Sequence, residues 1–201
     1  MEKRRGIVLK SIQFLLHRTT LIVIASAAIL VVVLGGRFEV ASAAQPNAEL
    51  EIQKLTVCHA LAIDALGRGN LQEGKNIFRD CFTQDAEFIN NFPRGVTEKR
   101  TGTDAQADYI YSVYQGNGYQ ATQHLMGSIN VSVRNANQAT MSSYVHGTHK
   151  RSETSIDVAN GTYEDEVVKE GGRWKISRST FNTIDFLNLR SPTDSTEPNL
   201  Q

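Results

Sequence analysis

Residues 122–151 read TQHLMGSINVSVRNANQATMSSYVHGTHKR, and how this stretch is paired decides the fold. Two strands are expected, residues 123–134 and 138–151, with Asn135, Ala136 and Asn137 between them as a turn. The first alternates at Leu125, Ile129, Val131 and Val133, and the second carries Thr140, Tyr144, Val145 and Thr148, side chains that suit a pleated surface. An antiparallel hairpin follows. His124 opens its first strand and His149 nearly closes its second, so the two imidazoles are expected to be neighbours.

The rest of the chain arranges itself around that hairpin. Before it lie a helix over residues 49–67 and a second from Asn70 to about Thr83. The first has Leu50, Leu55, Cys58, Leu61, Ala62, Ala65 and Leu66 at helical spacing; the second has Asn70 and Glu73 in a capping-box pattern. A short strand is expected over residues 87–91, then an irregular segment at Pro93 and Gly95 able to cover a pocket. A third helix runs from its cap Thr103 to Gln115. Beyond the hairpin, strands are expected over residues 155–169 and 174–180, joined at Glu170-Gly171-Gly172. Helices gathered on one face of antiparallel strands make an α+β domain whose curved sheet can close a cone around a cavity.

Residues 1–43 are read as a leader. Lys3, Arg4, Arg5, Lys10 and Arg18 precede a 14-residue apolar run, residues 21–34, and Ala41-Ser42-Ala43 suits cleavage. The run falls short of the roughly 20 residues of a permanent span. Two forms stay open, a cleaved export signal and an uncleaved anchor; either places the domain, residues 44–190, beyond the membrane, which it would touch only through its N-terminal segment. Residues 191–201 are read as a disordered tail.

Of 21 basic and 21 acidic residues, the leader takes six and two, leaving 15 and 19 in the remainder, a net charge of −4. Such a balance, with no basic stripe, excludes nucleic acid as a partner. Cys58 and Cys81 are the only cysteines, on helices that pack antiparallel. In an exported protein they are either a disulfide or two buried thiols. No glycine-rich phosphate loop and no spaced metal-ligand cluster occurs, so neither cofactor nor metal is expected.

The order of elements carries a resemblance. Residues 64–71 leading into Ile77-Phe78 and 82–86, the phrase 122–133, the phrase 139–151 and the closing Gly172-Arg173-Trp174-Lys175-Ile176 together resemble a SnoaL-like domain, with the cone-shaped fold of nuclear transport factor two. The likeness is greatest to the scytalone dehydratase branch and covers about 140 residues. It implies a cofactor-free pocket for a small apolar molecule, and an exposed sheet face that makes dimers or trimers.

Carried over residue by residue, the branch's aspartate and two histidines fall on Asp64, His124 and His149. His149 is preferred to His146 because it keeps the histidine-to-histidine spacing of the branch, and strand alternation puts the two on opposite faces. The chemistry implied is loss of water from a hydroxy-carbonyl compound, with His124 as proton shuttle and Asp64 accepting a hydrogen bond from His149. Ile63, Asn90, Tyr144 and Tyr163 are the expected pocket wall. The branch's tyrosine before the aspartate is here Ile63, and Gly161 and Tyr163 stand near the place of a polar pair; these departures leave as alternatives a binding protein without chemistry or a dimerising structural domain. His59 is expected on the helix surface.

Overall fold

The computed structural model describes residues 40–190, with side chains from residue 48. Residues 1–39 of the expected leader and the expected tail lie outside the described residues, while residues 40–43 are in the first helix. Among the described residues no helix is long and apolar enough to cross a membrane. Three helices, α1 (Val40–Gly67), α2 (Leu71–Cys81) and α3 (Thr103–Gly116), accompany six strands: β1 (Phe82–Phe92), β2 (Val96–Thr101), β3 (Ala121–Asn135), β4 (Gln138–Lys150), β5 (Ser155–Glu170) and β6 (Arg173–Arg190). They form one sheet in the order β2-β1-β6-β5-β4-β3, antiparallel except where β1 runs parallel to β6. This is the α+β cone expected.

Helix α1 packs on the sheet with a face rotated from the expected stripe, of which Leu55, Ala62, Ala65 and Leu66 are buried. Ile52, Leu55, Thr56, His59, Ala62, Ile63 and Leu66 are buried at three- and four-residue steps, while Leu50 and Leu61 are exposed. Counting only apolar residues misses Thr56 and His59 and rotates the stripe. The expectation for His59 is therefore corrected: it is buried, in edge-on contact with Phe78 and Phe82.

Asn70 caps α2 as expected, its Oδ1 accepting from the backbone N–H of Glu73 at 3.2 Å. Cys58 and Cys81 form a disulfide between α1 and α2, their Cα atoms 5.8 Å apart. The cap of α3 is Gly102, not Thr103, because φ of 97° at that position suits glycine; Thr103 is the first helical residue and is buried.

Two strands run well past their expected limits, and one is new. β1 begins at Phe82, and β6 continues to Arg190 because its far half pairs with residues 155–163 of β5. β2 was not expected at all: a tight turn with positive φ at Arg94 and Gly95 reverses the chain, and Val96–Thr101 pairs back along β1. Its Glu98, Lys99 and Arg100 keep this edge charged.

β3 holds the feature that positions the site. His124 pairs with Gly147 and Gly127 with Tyr144, but Asn130 pairs with Ser142, so an extra residue is inserted around Ser128, whose φ is 49°. The bulge shifts the alternation. Beyond it Ile129, Val131 and Val133 face inward; before it Thr122, His124 and Met126 do, and Leu125 is 55% exposed. Uninterrupted alternation through Leu125 and Ile129 would have turned His124 to the outside.

Candidate active site

The concave face of the sheet, α1 and α3 enclose a cavity of about 410 Å³. Its walls are largely apolar, with Ile63, Phe88, Ile110, Val113, Val145 and Phe181 among the lining residues. Polar groups gather where the end of α1 meets the start of β3. A Cβ on Gly67 would meet Thr122 Oγ1 at 2.0 Å, so only glycine lets the helix end approach the strand this closely. That approach delivers Asp64 to His124.

Asp64 accepts three hydrogen bonds: from Nδ1 of His124 at 2.7 Å, from Oγ1 of Thr122 at 3.0 Å, and from the backbone N–H of His124 at 3.3 Å. The ring proton of His124 is thereby fixed on Nδ1, leaving Nε2 for the cavity. Opposite the ring, a Cβ on Gly147 would lie 3.0 Å from both Cδ2 and Nε2 of His124, so the glycine makes room for the imidazole.

His149 is 3% exposed, its ring 5.2 Å from that of His124 and 4.8 Å from that of Tyr119. Its Nδ1 lies 3.4 Å from the backbone carbonyl of Asp157 and its Nε2 3.3 Å from the Tyr114 hydroxyl. Burial, assisted by the proximity of His124, lowers its pKa to about 4, so it is neutral at physiological pH. Burial and His124 likewise lower His59, another cavity-lining residue, to about 3.

Tyr114 stands between the imidazoles, its hydroxyl 3.4 Å from Nε2 of His124. Burial above all, then the ionisable neighbours Tyr163 and Asp64, raise its pKa well above the usual phenol value, so the proton stays on oxygen. With the Nδ1 atoms of both rings directed to Asp64 and to the Asp157 carbonyl, Tyr114 offers one proton to two Nε2 atoms. One Nε2 is left for an added proton or a ligand hydroxyl.

Asp157 anchors the His149 side. Its carboxylate accepts from Tyr119 at 2.8 Å, from Nε of Arg151 at 2.6 Å and from Nδ2 of Asn188 at 2.6 Å. Burial pushes its pKa up, but these bonds and the Arg151 charge prevail and hold it below the usual carboxylate value. Tyr119 is pushed up to about 12, by burial first and then by its bond to Asp157.

Asp64, His124 and His149 therefore meet, but Asp64 bonds His124 and not His149, because Thr122 and His124 lie at the β3 end that abuts α1. Ile63, Asn90 and Tyr163 line the cavity as expected. Tyr144 does not: it is 56% exposed, on the outward side of β4 with His146, whose Nδ1 contacts Asn160. Sequence reasoning missed Tyr114, Tyr119 and Asp157. The spacing of Gln106, Ile110, Val113, Tyr114 and Asn117, all lining the cavity, is the signal that could have selected Tyr114 from the tyrosines of α3.

The profile of the SnoaL-like domain matches residues 45–180. Among solved structures, a candidate scytalone dehydratase from Novosphingobium aromaticivorans is 21% identical, with a TM-score of 0.55 over 78% of this chain and 97% of that one. A candidate aromatic ring hydroxylase from the same species is 22% identical, with a TM-score of 0.58 over 71% and 93%. The hexachlorocyclohexane dehydrochlorinase LinA-type3 from Novosphingobium barchaimii is 17% identical, with a TM-score of 0.57 over 74% and 92%. At these identities the likeness shows a shared fold. No curated protein matches.

Proposed function

The chain belongs to the SnoaL-like domain family, and from that premise we propose that it is a cofactor-independent lyase or isomerase. Its substrate would be a small, largely apolar hydroxy-carbonyl compound, acted on by acid-base catalysis. The observation that carries this reading is the Asp64–His124 pair, with the Tyr114 hydroxyl placed between His124 and His149 on the wall of an apolar cavity. Two of the solved structures similar in fold are named as a candidate dehydratase and a dehydrochlorinase, both names for eliminations.

Each group has a task its surroundings suit. Nε2 of His124 takes the α-proton, and Asp64 stabilises the imidazolium that forms. Tyr114, kept protonated by burial, donates to the substrate carbonyl and stabilises the enolate. The enolate electrons then expel the β-hydroxyl, which leaves as water with the proton returned by His124. His149, neutral, accepts the Tyr114 hydrogen bond until substrate binds and then yields it to the carbonyl, the two rings staying packed edge to face. His124 keeps the shuttle role expected from the sequence, while the Asp64 partner changes.

The test is enone formation from a panel of bicyclic β-hydroxy ketones, followed by ultraviolet absorbance. Turnover by the native protein, abolished in His124→Ala and reduced in Tyr114→Phe, supports the reading; binding without turnover by any member contradicts it. The second reading, a ligand-binding protein without chemistry, is favoured by Ile63, an apolar wall residue where the dehydratase branch has a tyrosine.

Two further parts of the proposal concern place and assembly. Export is supported by the Cys58–Cys81 disulfide, a bond that persists in oxidising compartments. Assembly into a homodimer or trimer is supported by Leu125, Tyr144 and Ile184, exposed beside one another on the outer face of the sheet.

A further inference from the structure

The imidazole end of the cavity accounts for its polar atoms among protein partners, but a second set does not. Gln106 of α3 is 5% exposed and Ser179 of β6 is 3% exposed, both line the cavity, and neither Gln106 Oε1 nor Ser179 Oγ makes a well-formed hydrogen bond; the group beside Ser179 is Asp165 across the sheet, also buried and with its Oδ1 unpartnered. Thr183 Oγ1, two positions further along the inward side of β6, is also unpartnered and also lines the cavity. A buried polar atom without a partner is costly, so three in one wall require an explanation.

Their position separates them from the histidines. Ser179 pairs across the sheet with Phe88 and with Asp165, whereas His149 pairs with Asp157, eight residues earlier in β5. Between Ser179 and the histidines the lining is mostly the apolar or aromatic surface of Val145, Ala159, Tyr163 and Phe181, with Thr183 in the row of Val145 and Gly161. The cavity thus has two polar poles and an apolar waist.

We propose that Gln106 and Ser179 form a second ligand subsite, one that receives a hydroxyl on the end of the ligand away from His124 and His149. The donor and acceptor count sets the chemistry. Gln106 Oε1 is an acceptor and needs a donated proton; Ser179 can donate one. A hydroxyl, phenolic or alcoholic, has the donor that Gln106 Oε1 lacks and the acceptor that Ser179 can use. A ketone, ether or methoxy group at that place satisfies only Ser179. The ligand class is therefore an apolar, ring-sized body carrying a polar group at one end and a free hydroxyl at the other. The assignment rests on the cavity being a small-molecule site, as proposed above, but not on the histidines doing chemistry.

The test is calorimetric binding of three probes to the native protein: 2-naphthol, 2,6-dihydroxynaphthalene and 6-methoxy-2-naphthol. The subsite predicts that the diol binds about tenfold or more tightly than the other two, since only it supplies the second donor. Ser179→Ala and Gln106→Leu should each bring the diol to within about threefold of the methoxy compound. Equal affinity for diol and methoxy compound, a preference that survives both substitutions, or no binding of any probe overturns the assignment. Absence of turnover with hydroxy ketones leaves this result unaffected, so failure of the catalytic reading and failure of the subsite are told apart.

Discussion

The two poles of the cavity are built on opposite terms. At the histidine pole Asp64 and Asp157 each accept three hydrogen bonds, and the groups they hold are fixed in orientation. At the other pole Gln106 Oε1 and Ser179 Oγ make no well-formed hydrogen bond within the protein. The first arrangement holds itself in place before a ligand arrives, as acid-base groups require. The second is satisfied only by what enters. A cavity with one closed and one open set of polar groups orients its occupant, and each contrast between the sets can be tested.

The largest expected effect is on acid stability at the histidine pole. His149 and His59, near 6.5 in the unfolded chain, lie at about 4 and about 3 in the fold. The unfolded chain therefore binds more protons between these values, and stability present above pH 6.5 is lost as pH falls toward 3. A loss on the order of 5 kcal/mol is expected over that window, read as a falling urea midpoint. A flat midpoint between pH 6.5 and 4 would break the description of that pole.

Next is Asp64→Asn, which leaves the space filled but removes the charge behind His124. Turnover of any hydroxy ketone substrate should fall by roughly 10²–10⁴ in kcat, with KM little changed. Gly147→Ala is a smaller and purely steric perturbation. Its Cβ, 3.0 Å from the His124 ring, should displace the imidazole and cost about tenfold in kcat while Asp64 is intact.

The smallest effect belongs to Asp165, which pairs with Ser179 in the sheet. Burial raises its carboxyl to about 7 from 3.8, with the Ser179 hydroxyl opposing, so its cost appears as pH rises from 3.8 through 7. Asp165→Asn should stabilise the domain by about 1–2 kcal/mol at pH 8 and by little at pH 4. This trend runs opposite to that of the histidines.

Much of this was legible before the structure. The hairpin, its end-to-end histidines and the capped second helix follow from alternation and turn chemistry. The meeting of Asp64, His124 and His149 was implied by the likeness to the scytalone dehydratase branch. What alternation could not supply was phase. The bulge at Ser128 turns His124 inward, and nothing in Gly127-Ser128-Ile129 announces it. On α1, two polar residues complete the buried stripe, which is why His59 was placed on the surface. The choice of His124 over His149 as partner of Asp64 depends on the contact of Gly67 with Thr122, a long-range approach with no local signature. Tyr114 was hidden among four aromatic residues of the whole third helix region, Tyr109, Tyr111, Tyr114 and Tyr119, whose roles separate only once α3 is docked.

The most direct test of the central claim is long-range ¹H–¹⁵N NMR of the histidine rings across pH, on the native domain and on Asp64→Asn. The account predicts that His149 stays neutral until a midpoint of about 4, and that neutral His124 carries its proton on Nδ1 in the native protein and loses that preference in Asp64→Asn. If His149 titrates near 6.5 and the His124 ring is indifferent to Asp64, the histidine pole is not an assembled acid-base site.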